Sequence, residues 1–225
     1  MARSFGLVDY KVQEAEFFLL ELKRHSTNRD FGAIQFCSSA FASAARSITF
    51  AMQSCLKGNP AFDAWYSFQQ EQLKSNDLAK FFNDFRRVTQ HIGESVVNAG
   101  FHGKDGTLYY FRPCPDLKIV PEEDVISACE KYYKLILSIV YECYVEFGHI
   151  VNGQQYFTKE NFNYLGKTIE DAEEELGFPR GWTDINSSSP DTEKQRWQTL
   201  RRQADGCLIE GQFSKWLNKK IPKPE

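Results

Sequence analysis

No apolar run in the sequence approaches the roughly 20 residues that a membrane-spanning helix needs. The most apolar stretch is only Leu135-Ile136-Leu137-Ser138-Ile139-Val140-Tyr141, so no membrane association is expected. The opening Met1-Ala2-Arg3-Ser4-Phe5-Gly6-Leu7-Val8-Asp9 lacks the apolar core of about 7–15 residues that a signal peptide carries. Secretion is therefore not expected, and a cytoplasmic location is. An excess of either charge is also missing: 27 basic against 30 acidic side chains leave a net charge of −3. Without a global positive field, any contact with nucleic acid must be local. Six cysteines, Cys37, Cys55, Cys114, Cys129, Cys143 and Cys207, form no Cys-x-x-Cys pair and have no histidine nearby at zinc spacing, so they read as reduced, packing thiols. His25, His91, His102 and His149 fall on separate elements, and no metal site is expected. Phosphate-loop, Gly-x-Gly-x-x-Gly, Gly-x-Ser-x-Gly and His-Glu-x-x-His motifs are all missing. That sets aside nucleotide-cofactor and zincin chemistry, and no cofactor is expected.

The chain does hold 42% hydrophobic, 15% aromatic and 25% charged residues in a length of 225, the balance of an ordinary globular protein. That length suits one large domain, or a domain with a substantial appendage. Helical spacing dominates the first hundred positions. Val8, Val12, Ala15, Leu19 and Leu22 recur at steps of three and four, and a longer stripe follows through Ile34, Cys37, Phe41, Ala44, Ile48, Ala51 and Cys55. Gly58-Asn59-Pro60 stops it, and Pro60 suits the start of a shorter helix through Phe62, Trp65, Tyr66 and Phe68. Asn76 or Asp77 can cap a fourth helix with Leu78, Phe81, Phe82, Phe85, Val88 and Ile92 inward. The pattern breaks over 100–121, where glycines and prolines surround Thr107-Leu108-Tyr109-Tyr110-Phe111, a strand or hairpin. It resumes in a helix, apolar on most sides, over about 122–147. Such stripes must bury on one another, and short connections favour antiparallel neighbours. The expected fold is all-α: an antiparallel helical bundle over 1–151 with a turn-rich insertion at 100–121, and a helical extension over 152–225. In that extension Glu170–Glu175 is expected on a solvated helix face, and the loop Ser187–Asp191 feeds a helix from Thr192 to Ala204 with Trp197 and Leu200 inward. The end, Lys219–Glu225, is expected to fray.

One local constellation lies in the fourth helix, Phe81-Phe82-Asn83-Asp84-Phe85-Arg86-Arg87-Val88-Thr89-Gln90-His91. On an ideal helix Arg86 and His91 sit roughly 140° apart around the axis. They can act together only at the rims of one cleft, through a partner surface outside the bundle, or through a distortion near Gly93. With Phe41–Gln53 ("FASAARSITFAMQ") and Phe62–Tyr66 ("FDAWY"), this block resembles the HEPN superfamily, in an uncharacterised bacterial group. Its helical bundles are marked by an Arg, four to six intervening residues and a His. The resemblance covers about Val8–His102. It implies a metal-independent endoribonuclease acting at a homodimer cleft, with Arg86 and His91 as catalytic residues. Its relatives also imply toxin-like contexts and an antitoxin-like protein partner. An imidazole can exchange a proton with an RNA 2′-hydroxyl or a leaving 5′-oxygen. A guanidinium offers fixed donors to phosphoryl oxygens as their charge grows. Family members often carry a polar residue, commonly Asn, after the motif Arg; here Arg87 stands there and is a candidate for binding substrate phosphate.

The alternative is a non-catalytic HEPN-like module for protein interaction or RNA binding, in which Arg86 is a structural or contact residue; the plainest reading leaves Arg86 and His91 as ordinary surface residues paired with Asp84 or Glu94. A third reading puts a small ligand in the 100–121 region. Arg46, inside the small-residue run Ser43–Ser47, reads as a surface residue or a partner of Asp63 or Asp84. Trp65 and Tyr66 fit core packing better than base stacking. Lys194, Arg196, Arg201 and Arg202 read as solvated.

Overall fold

The computed structural model describes residues 5–93, 95–103, 106–185, 189 and 191–224. The chain is mostly helical with one small antiparallel sheet. It divides into two compact units, Met1–Ile139 and Val140–Glu225; the division falls inside a helix, whereas the sequence patterning suggested 151.

The first unit begins with a pair of long helices, α1 (Gly6–Asn28) and α2 (Phe31–Leu56). Arg29, at φ 58°, ends α1 in the left-handed region, and the Asp30 carboxylate accepts from the Ala33 N–H at 3.1 Å to start α2. The stripe Val8, Val12, Ala15, Leu19 and Leu22 is completely buried. Helix α2 buries more than its stripe: Ser38, Ala42, Ala45, Thr49 and Met52 are buried beside Ile34, Phe41, Ala44, Ile48 and Ala51, while Cys37 and Cys55 stay partly exposed. It packs on α1 and on α4, so it covers a broad arc rather than one seam.

Helix α3 (Pro60–Ser75) starts where Asn59 Oδ1 accepts from the N–H groups of Ala61 and Phe62. It buries Phe62 and Tyr66, leaves Trp65 partly exposed and Phe68 exposed. Helix α4 (Asp77–Arg87) is capped by Asn76, whose Oδ1 accepts from Ala79 N–H at 3.0 Å. Its Phe81, Phe82 and Phe85 meet Phe111 with ring centroids 4.7, 6.1 and 5.1 Å away. The chain then widens into a π turn, Val88–Ile92, closed by Gly93 at φ 76°. This turn lifts Ile92 out of the expected inner face; it is 47% exposed.

A hairpin follows, β1 (Val97–Gly103) and β2 (Gly106–Phe111), pairing Val97 with Phe111 and Ala99 with Tyr109, with an irregularity between Ala99 and His102. The Ser26 hydroxyl ties it to α1 by donating to the Thr107 carbonyl at 2.7 Å. Helix α5 (Val125–Val151), capped by Asp124, gives its first half to this unit and its second to the next.

The second unit adds the short helices α6 (Gly153–Tyr156), α7 (Lys159–Tyr164), α8 (Ile169–Glu175), α9 (Thr192–Arg201) and α10 (Glu210–Gln212), then a π turn, Phe213–Leu217. Phe157, Phe162, Ile169, Ala172, Trp197 and Leu200 form one cluster, with Trp197 and Leu200 inward as expected. In the loop ahead of α9, residues 187, 188 and 190 lie outside the described residues. Three expectations are corrected here. The acidic run is not a purely solvated face, because Glu173 is fully buried. Arg196 is not solvated: it meets Glu170 and Asp184 at 3.0 and 2.9 Å. The tail before residue 225 does not fray either. Ile221 is buried, and the carbonyls of Pro222 and Pro224 accept from Gln155 and Arg201 at 2.8 and 3.2 Å.

Candidate functional site

Helix α4 sets the site because its inner side is filled by three phenylalanines. Phe81, Phe82 and Phe85 are buried, which turns Arg86 to the edge of the helix, partly buried, and Arg87 outward. The π turn then carries His91 into solvent; its closing bond runs from Gly93 N–H to the Val88 carbonyl at 3.0 Å. Each residue of a π turn advances less around the axis than in an α-helix. Such turns are frequent at functional sites. This one is a distortion next to Gly93, one of the alternatives that the spacing of the pair left open.

Among the described residues neither the Arg86 guanidinium nor the His91 ring has a hydrogen-bond or ion-pair partner. Asp84 lies 3.8 Å from Arg87 rather than pairing with Arg86, and Glu94 is outside the described residues. Arg87 also donates to the Asp116 carbonyl at 3.3 Å, so one of its nitrogens is already used while the side chain stays about half exposed. The π turn is held to α2 by Gln90 Nε2 donating to the Ser39 hydroxyl at 3.1 Å. A cavity of 200 Å³ opens beside that bond, lined among others by Phe36, Ser39, Thr89, Gly93 and Val96. Phe36 is 75% exposed, so an apolar surface lines the cavity beside the π turn.

The other histidines of this unit are engaged locally. His25 lies 3.4 Å from both Glu21 and Asp30, and His102 Nδ1 is 3.0 Å from the Thr107 hydroxyl. No group of three or more His, Cys, Asp or Glu side chains is placed to hold a metal ion among the described residues, and no helix there is long and apolar enough to cross a membrane.

Arg46 is partly exposed. It pairs with neither Asp63 nor Asp84; it donates to the Thr49 hydroxyl at 2.8 Å, and its guanidinium lies 4.4 Å from the Phe50 ring centroid. It lines a second cavity, of 220 Å³, between α2, α3, α4 and α5. Neither this cavity nor the one beside Phe36 is lined by residues 100–121. The sequence holds one signal for this second site, a lone arginine inside a run of small residues on a helix with a strict apolar stripe. Nothing in the spacing reveals that α3 and α5 complete the cavity. Compared with family models, curated proteins and solved structures, the chain shows no significant match.

Proposed function

We propose that this chain is a HEPN-like, metal-independent endoribonuclease whose site forms across a homodimer from Arg86 and His91, with Arg87 adding a contact to phosphate. The reading rests on the resemblance of the sequence blocks. The observation that carries it is the end of α4: a partly buried Arg86 and an exposed His91, both without partners among the described residues, on either side of the start of a π turn. A buried salt bridge at Arg86 would have favoured the non-catalytic module, and none occurs among the described residues.

In this reaction the RNA 2′-oxygen attacks the adjacent phosphorus, the bond to the 5′-oxygen breaks, and a 2′,3′-cyclic phosphate results. His91 takes or gives the proton, and Arg86 donates to the phosphoryl oxygens as their charge grows. Two copies of the site supply one base and one acid. The exposed Phe36 and Ile92 provide apolar surface for the dimer contact. The same surface favours the second reading, a module that docks another protein.

The test is cleavage of a panel of single-stranded and structured RNAs in EDTA by the wild type, His91→Ala and Arg86→Ala, with oligomeric state measured alongside. Cleavage by a wild-type dimer that both variants lose by at least about a hundredfold, typical for a proton-transfer group, supports the proposal. A monomeric wild type, or cleavage unchanged in either variant, sinks it. Absence of cleavage throughout moves the reading to the docking module.

A further inference from the structure

The 220 Å³ cavity between α2, α3, α4 and the first half of α5 is lopsided in charge. Arg46, Lys74 and Lys80 line it, with no carboxylate among its lining residues. The two lysines reach exposed acids, Glu71 at 2.7 Å and Asp77 at 2.9 Å, and such exposed pairs hold their partners weakly. Arg46 has no acidic partner among the described residues. A neutral hydroxyl and an aromatic face hold it in place, Thr49 and Phe50, so its charge is positioned but not neutralised.

A second, independent feature points into the same space. Tyr132 is 4% exposed, its ring is fixed flat on Phe82 with centroids 4.4 Å apart, and its hydroxyl has no hydrogen-bond partner among the described residues. Arg46, Tyr66 and Tyr132 all line the cavity. Without a partner among the described residues, the Tyr132 hydroxyl can donate to a molecule in the cavity. The remaining wall is mixed: the amides of Gln70 and Asn83, and the apolar Leu73, Ala79 and Ile136. A closed cavity of about 150 Å³ admits benzene, so this one has room for a ring-sized body and one further group.

We propose that this cavity binds a small organic anion, a single carboxylate or phosphate on an apolar body near the size of a benzene ring, with Arg46 meeting the charge and Tyr132 donating to it. Leu73, Ala79 and Ile136 face the apolar body, and Lys74 and Lys80 close over the mouth by exchanging their surface acids for the ligand. Burial pushes the Tyr132 hydroxyl up to about 12, so it remains a donor at neutral pH. The site is separate from Arg86 and His91 and does not depend on ribonuclease activity.

Calorimetric titration of the full chain with phenyl phosphate, benzoate, inorganic phosphate and phenol tests this. Phenyl phosphate, benzoate or both should bind, and which of them binds identifies the anion. Inorganic phosphate and phenol should bind at least about tenfold more weakly, since each lacks one half of the match. Arg46→Gln should weaken binding by about tenfold or more, the usual worth of a hydrogen bond to a charged group. Tyr132→Phe keeps the ring on Phe82 and should weaken it about threefold or more. The pair Lys74→Gln with Lys80→Gln, both on exposed helix faces, serves as a further variant should Arg46→Gln fail to fold. No binding by any of the four compounds, phenol or inorganic phosphate binding as well as the organic anions, or binding unchanged in Tyr132→Phe and in the lysine pair would each overturn the proposal.

Discussion

The buried carboxylate of Glu173 accepts hydrogen bonds from both the N–H and the hydroxyl of Thr183, ten residues further along the chain. Gly181 N–H donates to its other oxygen, and Arg196 lies 3.6 Å away. One side chain thus closes the loop that follows α8 and orients an arginine of α9. Substituting Glu173→Ala leaves two backbone donors without their acceptor, which should cost about 2–3 kcal/mol of stability. Chemical denaturation checks this, and a loss under about 0.5 kcal/mol would show that water replaces the carboxylate.

The same group makes the second unit sensitive to acid. Burial alone would raise the Glu173 carboxyl, but the donors from Thr183 and Gly181 and the charge of Arg196 outweigh it and leave it below its ordinary value of 4.5. A lowered folded value means that its stabilisation is present in full above that ordinary value and is lost as pH falls through the folded one. Glu170, also lowered by its hydrogen bonds, acts in the same window, and Asp171, lowered from 3.8, acts below that value. Denaturation midpoints should therefore hold steady from neutral pH down to about 5 and fall steeply below about 4.5. Glu173→Gln should flatten the fall; an unaltered slope would assign the acid sensitivity elsewhere.

Phe82 lies at the centre of the aromatic cluster, 1% exposed. Its ring lies flat on Tyr132, 4.4 Å between centroids, and meets Phe41 and Phe85 edge-on at 5.8 and 6.3 Å. Phe82→Ala should cost about 3–5 kcal/mol, the range for removing a fully buried ring. Thermal unfolding reads it directly, and a loss under about 1 kcal/mol would mean that the neighbouring rings close the cavity.

His91 is exposed and has no partner among the described residues, so His91→Ala should change stability by no more than about 0.5 kcal/mol. A larger loss, measured under the conditions of the cleavage assay, would make His91 a structural residue and remove it from the proposed chemistry.

Deleting the tail from Lys219 onward should destabilise the protein by about 2–3 kcal/mol, the order expected for one buried isoleucine with its hydrogen bonds. Ile221 is 4% exposed, and Gln155 and Arg201 hold the carbonyls that follow it. An unchanged melting temperature in the truncated chain would restore the frayed end that composition suggests.

Periodicity alone determined the helices of the first unit, because each must hide an apolar face and the spacing of that face repeats with the helical turn. Val8 to Leu22, the cap at Asn76 and the rings of α4 were legible for this reason, as was the hairpin around Tyr109. The Arg86 and His91 pair was legible as a spacing; the π turn after Arg87 was not, because it depends on how the end of α4 meets α2. What spacing does not encode is which element lies opposite. Glu173 sits in a run of acids that reads as solvent-facing, and only the return of the chain through Gly181 and Thr183 supplies the donors that bury it. Arg46 and Tyr132 are 86 positions apart on α2 and α5, each explicable alone. They share a cavity because Phe82 fixes the tyrosine ring and α3 closes the side, and those contacts exist only once the helices have packed.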